Sequence, residues 1–252
     1  MSYSPPGLGL FVTGTDTGVG KTTVTAALAR VLRRQGCPVR VSKPVATGAR
    51  LIGDQCLSED TIQLADAAGE TALAEITPWA WPEPVAPPVA ARLAGATVTL
   101  KQVVEAVRRR AGPGEFLLVE GVGGLLCPLT EEDTIADLAD AVGLPLLVVA
   151  RRALGTLNHT LLTLEAAARR GLTVVGVVIV ETTRPEGLAE GTNIEELRRR
   201  IAPPILAVVP FQPNRPVDAV PALAAVDWSL ILGLNECLSG LSPEEQISAW
   251  RP

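Results

Sequence analysis

No stretch of this chain carries an unbroken apolar run long enough to cross a membrane. Runs such as Leu144–Ala150 and Val174–Val180 end at Pro, Gly or charge well short of the ~20 residues a span needs. The opening residues, Met1-Ser2-Tyr3-Ser4-Pro5-Pro6, lack a basic segment followed by an apolar one, so no signal peptide is expected. Basic charge is not in excess either. The 22 Lys and Arg against 27 Asp and Glu leave a net −5, without the electrostatic footprint of a nucleic-acid binder. The four cysteines (37, 56, 127, 237) have neither metal-type nor redox-type spacing, and 252 residues build a core without staples. They read as buried or incidental thiols. Histidine is all but missing: His159 stands alone, with no Ser or Cys nucleophile beside it, so hydrolase chemistry has no support and a capping or packing role remains. These absences point to the cytoplasm, with neither a membrane nor a nucleic acid as partner.

What is present is concentrated near the N-terminus. Gly14-Thr15-Asp16-Thr17-Gly18-Val19-Gly20-Lys21-Thr22 follows the apolar run Leu8–Val12 and leads into a helix-patterned stretch, Val24–Leu32. A strand, a glycine-bearing loop ending in Gly-Lys-Thr, and a helix make a phosphate cradle. Loop amides and the helix N-terminus face the anion, Lys21 reaches the outer phosphates, and Thr22 offers its hydroxyl to Mg²⁺. The usual spacing puts the first glycine at 15, where Thr15 stands; Gly14 lies one residue earlier.

Apolar runs at 8–13, 39–42, 116–120, 144–150, 173–180 and 205–209 alternate with helical patterns at 21–35, 59–68, 97–110, 134–142, 156–170 and 193–201. Such alternation predicts an α/β fold of P-loop NTPase type, a mostly parallel sheet flanked by helices in a single domain over residues 1–252. Pro78–Pro88 holds five prolines in eleven residues, too rigid for a helix or inner strand, and reads as either a plain surface connection or, as is commoner for a long ordered loop, the lining of a site. Beyond about residue 220 the pattern weakens. Trp228, Leu230, Ile231 and Leu234 suggest one more apolar-faced helix, and Ser242 onward a tail.

Ligands of open parallel sheets bind beyond the carboxyl ends of the strands. Residues with chemistry stand there in this sequence. Glu120 ends the third run and is followed by Gly121, Val122, Gly123 and Gly124, where backbone can approach a ligand. It is placed to face Mg²⁺, which takes few protein oxygens besides water and phosphate. Asp60 is a second candidate ligand, in the first turn of a helix that Ser58 could cap, although acids favour helix starts for dipole reasons alone. Lys43 follows the second run and precedes Pro44, poised to hold developing anionic charge.

The phosphate loop, then Lys43-Pro44-Val45-Ala46, then Val119–Gly124, then Leu157-Asn158-His159-Thr160-Leu161-Leu162-Thr163 closely resemble the dethiobiotin synthetase family, in order from about residue 8 to 217. The resemblance implies a homodimeric, ATP- and Mg²⁺-dependent ligase that closes a cyclic urea from CO₂ and 7,8-diaminononanoate. It implies that Thr17, Gly18, Val19, Gly20, Lys21, Thr22 and Thr23 wrap the phosphates, with Thr22, Asp60 and Glu120 around Mg²⁺. It makes Lys43 and Lys21 catalytic, Thr47 a substrate contact, and Glu120, Gly121, Val122 and Gly123 the lining for nucleotide and diamine. Gly155, Thr156 and Asn158 would reach the partner subunit's substrate and hold its carboxylate at a helix N-terminus. The base would lie near Val180, Glu181, Pro210, Phe211 and Gln212. Three positions depart from the family's habit: Gly18 stands for Glu, Val180-Glu181 for Asn-Asp, and Pro88 for His.

Two rivals share the fold. A ParA- or MinD-like ATPase switch has an extra lysine early in the loop, where this chain has Thr15 and Asp16, and needs a DNA or membrane face. A synthetase-like domain of cobyrinate amidation normally carries an added glutaminase domain, for which 252 residues leave no room.

Overall fold

The computed structural model describes residues 8–52, 55–110, 112–213 and 218–232. Its central strand is the first apolar run, β1 (Gly9–Gly14), buried at every position. Leu10 and Val12 face one side of the sheet and Phe11 the other, so the run reads as continuous, not alternating. A six-stranded parallel sheet forms around it from β2 (Val39–Ser42), β7 (Phe116–Gly124), β8 (Leu146–Arg151), β9 (Val174–Val180) and β10 (Ile205–Val209). The order is β10-β9-β8-β1-β7-β2.

Helices cover both faces. On one lie α1 (Lys21–Arg34) and α2 (Glu59–Ala68), whose Leu28, Leu32 and Leu64 pack with Leu10, Val12, Phe116 and Leu118. On the other lie α5 (Leu100–Arg110) and α6 (Ile135–Val142), whose Val103, Val107 and Leu138 pack with Phe11, Leu117 and Val119. Near the far edge, α7 (Thr156–Arg169) and α8 (Leu188–Arg198) bring Leu157, Leu164 and Leu197 to Val148, Val177 and Ile179. The α6 start is fixed by Thr134, whose N–H donates to Asp137 Oδ2 at 2.7 Å. Among the described residues no helix is long and apolar enough to cross a membrane.

Several elements depart from the sequence reading. The proline-rich segment is not excluded from regular structure: β6 (Trp79–Trp81) pairs in parallel with β3 (Val45–Thr47), and α4 runs over Pro87–Leu93. Proline is compatible with the first helical positions, where its missing N–H has no partner to lose, and Trp79-Ala80-Trp81 contains none. A hairpin of β4 (Arg50–Ile52) and β5 (Gln55–Leu57), and the single-turn α3 (Leu73–Ile76), were not foreseen. The third run does not end at Glu120. It continues as strand to Gly124 through a bulge, with Val12 opposite Glu120 and Gly14 opposite Gly124. The pattern at 193–201 begins earlier, at Leu188, and that at 97–110 later, at Leu100. Ser58 occupies the N-cap position of α2, yet its side chain makes no capping hydrogen bond.

After β10 come α9 (Val220–Ala224) and α10 (Trp228–Leu232). Trp228 is fully buried and donates from Nε1 to Leu223 O at 2.7 Å. Leu230 points outward, 81% exposed, so the expected apolar face is narrower than the sequence suggested. Leu234 and the tail from Ser242 lie outside the described residues.

The β2 edge is covered by side chains instead of a strand. Glu70 Oε1 accepts the N–H of Val41 at 3.0 Å, Arg110 Nε donates to Val41 O at 3.2 Å, and the two side chains pair with each other. Both are nearly inaccessible to solvent. Lys43 N–H donates to Ile76 O at 2.9 Å, so α3 closes the same edge.

Candidate active site

The phosphate loop is built to present amides. Thr15 N–H donates to Val149 O at 2.9 Å, which moors the loop to β8, and Thr17 N–H donates to Asp16 Oδ1 at 2.7 Å. Gly20 is the N-cap of α1 at φ 98°, with no side chain capping the helix and no acid in its first turn. The first amides of α1 are therefore left for an anion. Any Cβ at Gly20 would stand 3.0 Å from Val180 Cγ1, so glycine is required both by conformation and by packing. Lys21 Nζ bridges the loop by donating to Asp16 O at 3.0 Å.

Beside the loop, three carboxyl-edge groups converge. Glu120, fully buried, accepts from Thr22 Oγ1 at 2.7 Å and from Lys43 Nζ at 2.8 Å, both at Oε1. Lys43 Nζ also donates to Asp60 Oδ2. Burial draws the pKa of Lys43 down, but Glu120 and Asp60 outweigh it and hold the ammonium above its ordinary value. For Lys21 burial wins, and its pKa is lowered despite Glu120. Burial tends to raise Asp60, yet Lys43 keeps its carboxyl below the usual range. Glu120 Oε2 is buried with no hydrogen-bond partner.

Lys21, Lys43 and Asp60 help line a cleft of about 680 Å³, with Glu120 buried and outside the lining. Thr17, Gly18, Gly20, Lys21, Thr22 and Thr23 line it from the loop and the start of α1, Lys43, Thr47, Val122 and Gly123 from the segments of β2, β3 and β7, and Asp60 from α2. Val19 and Gly121 are buried and do not line it. Gln63 and Cys127 also line the cleft and were missed. Gln63 lies three residues after Asp60 on α2, a spacing that puts both on one helix face and signals it in retrospect. Cys127 has no such signal; it reaches the cleft because the chain turns back after β7, its Sγ close to Gly123. The proline-rich segment does line the site, through Pro84, Val85, Ala86 and Pro87.

The remaining residues stand elsewhere. Gly155, Thr156 and Asn158 begin α7 and do not line the cleft; Gly155 is its N-cap, and Thr156 Oγ1 is buried without a partner. Val180 is buried beneath Gly20. Glu181 accepts from Arg152 Nη1 at 2.5 Å and from Phe211 N–H at 2.9 Å. Pro210 is exposed, and Phe211 and Gln212 are half-buried.

The profile of the AAA_26 family, an AAA domain, matches residues 8–215. The ATP-dependent dethiobiotin synthetase BioD of Anaeromyxobacter dehalogenans is 46% identical over 206 residues, spanning 82% of this chain and 91% of that protein. The chain belongs to the dethiobiotin synthetase family. It is a ligase of that type. The family's BioD from Mycobacterium avium is 44% identical over 224 residues, covering 88% of this chain and 92% of its own. Among solved structures, the MinC:MinD cell division complex of Aquifex aeolicus matches with a TM-score of 0.50 at 15% identity, over 93% of this chain and 96% of that one. At that identity the likeness concerns the fold alone and says nothing of a MinD-like switch.

Proposed function

We propose that this chain closes the ureido ring of dethiobiotin from CO₂, 7,8-diaminononanoate and ATP, in the cytoplasm, with Mg²⁺. The observation that carries the reading is the buried Lys43 ammonium at the carboxyl edge of β2, joined to Asp60 and Glu120 and opening onto the phosphate-loop cleft.

The residues fit a divalent ion. Among the described residues no group of three or more His, Cys, Asp or Glu side chains forms a metal cage. Magnesium needs none, since phosphate and water complete its octahedron. Thr22, Asp60 and Glu120 would hold it. Asp60 and Glu120 already share one positive charge, that of Lys43, Thr22 donates to Glu120, and Glu120 Oε2 is an unused acceptor. Bound there, the ion would neutralise charge on the transferring phosphoryl group.

The chain's own groups account for the rest. One amine of the diamine attacks CO₂; the C–N bond forms, a proton leaves, and the carbamate oxygen carries the charge. Lys43, kept protonated, stabilises that anion, and Lys21 with the loop amides holds the triphosphate. The carbamate oxygen attacks the γ-phosphorus, expelling ADP. The second amine then attacks the carbamoyl carbon; the second C–N bond forms, the C–O bond to phosphate breaks, and phosphate leaves. Thr47 and the Pro84–Pro87 wall keep that amine close, and such proximity is worth ~7–11 kcal/mol. No side-chain nucleophile is required. Gly155, Thr156 and Asn158, which do not line their own cleft, would receive the substrate carboxylate of a second copy.

ADP release tests the reading. It should require diaminononanoate and bicarbonate together and scale with dethiobiotin formed. Release that ignores the diamine and responds to DNA or lipid would overturn it.

A further inference from the structure

Arg152 follows β8 directly and ties several segments together. Its backbone N–H donates to Val180 O at 2.8 Å and its Nε to Glu190 O, in the first turn of α8, at 2.7 Å. Its Nη1 donates to Glu181 Oε1 at 2.5 Å. Glu181, only 7% exposed, accepts the N–H of Phe211 at its other oxygen and donates its own N–H to Val209 O at 2.9 Å. One charged pair thus fixes the ends of β8, β9 and β10 relative to one another, through charge-assisted bonds of the stronger kind.

This pair stands beside the phosphate loop. Val180, the residue before Glu181, abuts Gly20. Lys43 and Glu120 lie toward β2 and β7, on one side of β1, whereas β8, β9 and β10 lie on the other. A triphosphate whose γ end faces Lys43 must leave the loop with its nucleoside directed toward β9 and β10. Phe211 and Gln212, just beyond β10, are half-buried there.

We propose that Arg152 and Glu181 are positioning residues for the nucleoside. They fix the Phe211–Gln212 segment as the wall against which base and ribose lie, while the loop grips the phosphates independently. Because both oxygens of Glu181 are engaged, it acts through Phe211 and not on the base. This inference rests on the nucleotide reading of the cleft.

The test compares ATP with inorganic tripolyphosphate, which has the phosphates and no nucleoside. Glu181→Ala should raise KM for ATP about tenfold, the equivalent of one lost charged hydrogen bond, with kcat within about twofold. Inhibition by tripolyphosphate should not move. Glu181→Gln keeps an acceptor for the Phe211 N–H and should fall between wild type and Ala; Arg152→Lys should resemble it. These two preserve side-chain volume and carry the test if the Ala variant does not fold. Equal weakening of ATP and tripolyphosphate, or an unchanged KM in every variant, would overturn the proposal. Wild-type protein that binds neither ligand overturns it along with the nucleotide reading. Wild-type protein that binds ATP but makes no dethiobiotin removes the ligase reading alone, and the same split is then read by direct titration.

Discussion

Lys43 reaches two carboxylates from one buried nitrogen, an arrangement that costs much desolvation unless the charge is used. Lys43→Ala is expected to lower turnover by ~10²–10³, the cost of removing an electrostatic stabiliser, while ATP affinity stays close to normal because the loop is intact. Steady-state rates and an ATP titration on the variant check this; near-normal turnover would remove Lys43 from the chemistry. Lys43 and Glu120 were legible in the sequence because each stands where an apolar stretch gives way to polar or glycine residues, near the carboxyl end of a strand, although β7 itself runs on to Gly124. Their contact with Asp60 was not legible. It depends on how α2 packs against α1 and β2, and sequence physics alone left Asp60 divided between metal ligand and helix-start acid. Val180 and Glu181 show the same limit: which atoms Glu181 engages depends on Arg152 and Phe211, distant in sequence and adjacent only once β8, β9 and β10 align.

At the level of elements, long buried strands and amphipathic helices declared themselves because burial on both faces, or on one stripe, leaves a pattern. The β4–β5 hairpin did not, since Leu51 and Ile52 are 70% and 56% exposed and carry no such pattern. Nor did α4, whose two leading prolines suggest a break when they in fact start a helix. The β2 edge offers a measurable consequence. Glu70→Ala removes the acceptor of Val41 N–H and leaves Arg110 buried without its main partner. Breaking a buried pair in this way is expected to cost about 3–5 kcal/mol, read as a lower urea midpoint. A change under about 1 kcal/mol would mean that water replaces the carboxylate at that edge.

For the whole molecule, two quantities bear on function. The proposal that Gly155, Thr156 and Asn158 serve the substrate of a second copy requires a homodimer, so on that proposal light scattering should give twice 26.3 kDa under assay conditions. A fully active species of 26.3 kDa would exclude shared sites. Stability should also depend on pH at both extremes. Lys43 is raised on folding, so its contribution is complete below the ordinary lysine value of 10.5 and is lost as pH rises through the folded value. Asp60 is lowered, so its contribution holds above 3.8 and is lost as pH falls through the folded value. Urea midpoints should therefore fall at both extremes, and Lys43→Met should flatten the alkaline fall; an unaltered fall would show that other groups cause it. The strand order bears as well on how the chain comes into being. Gly9 finds its neighbour in Leu117, and Phe11 its other neighbour in Leu146. At a ribosomal pace of ~5–20 residues per second, this fully buried strand waits ~5–20 s for its first partner to be made. Through that interval the phosphate loop has no sheet to stand on, and the nascent chain must shelter its future centre by other means.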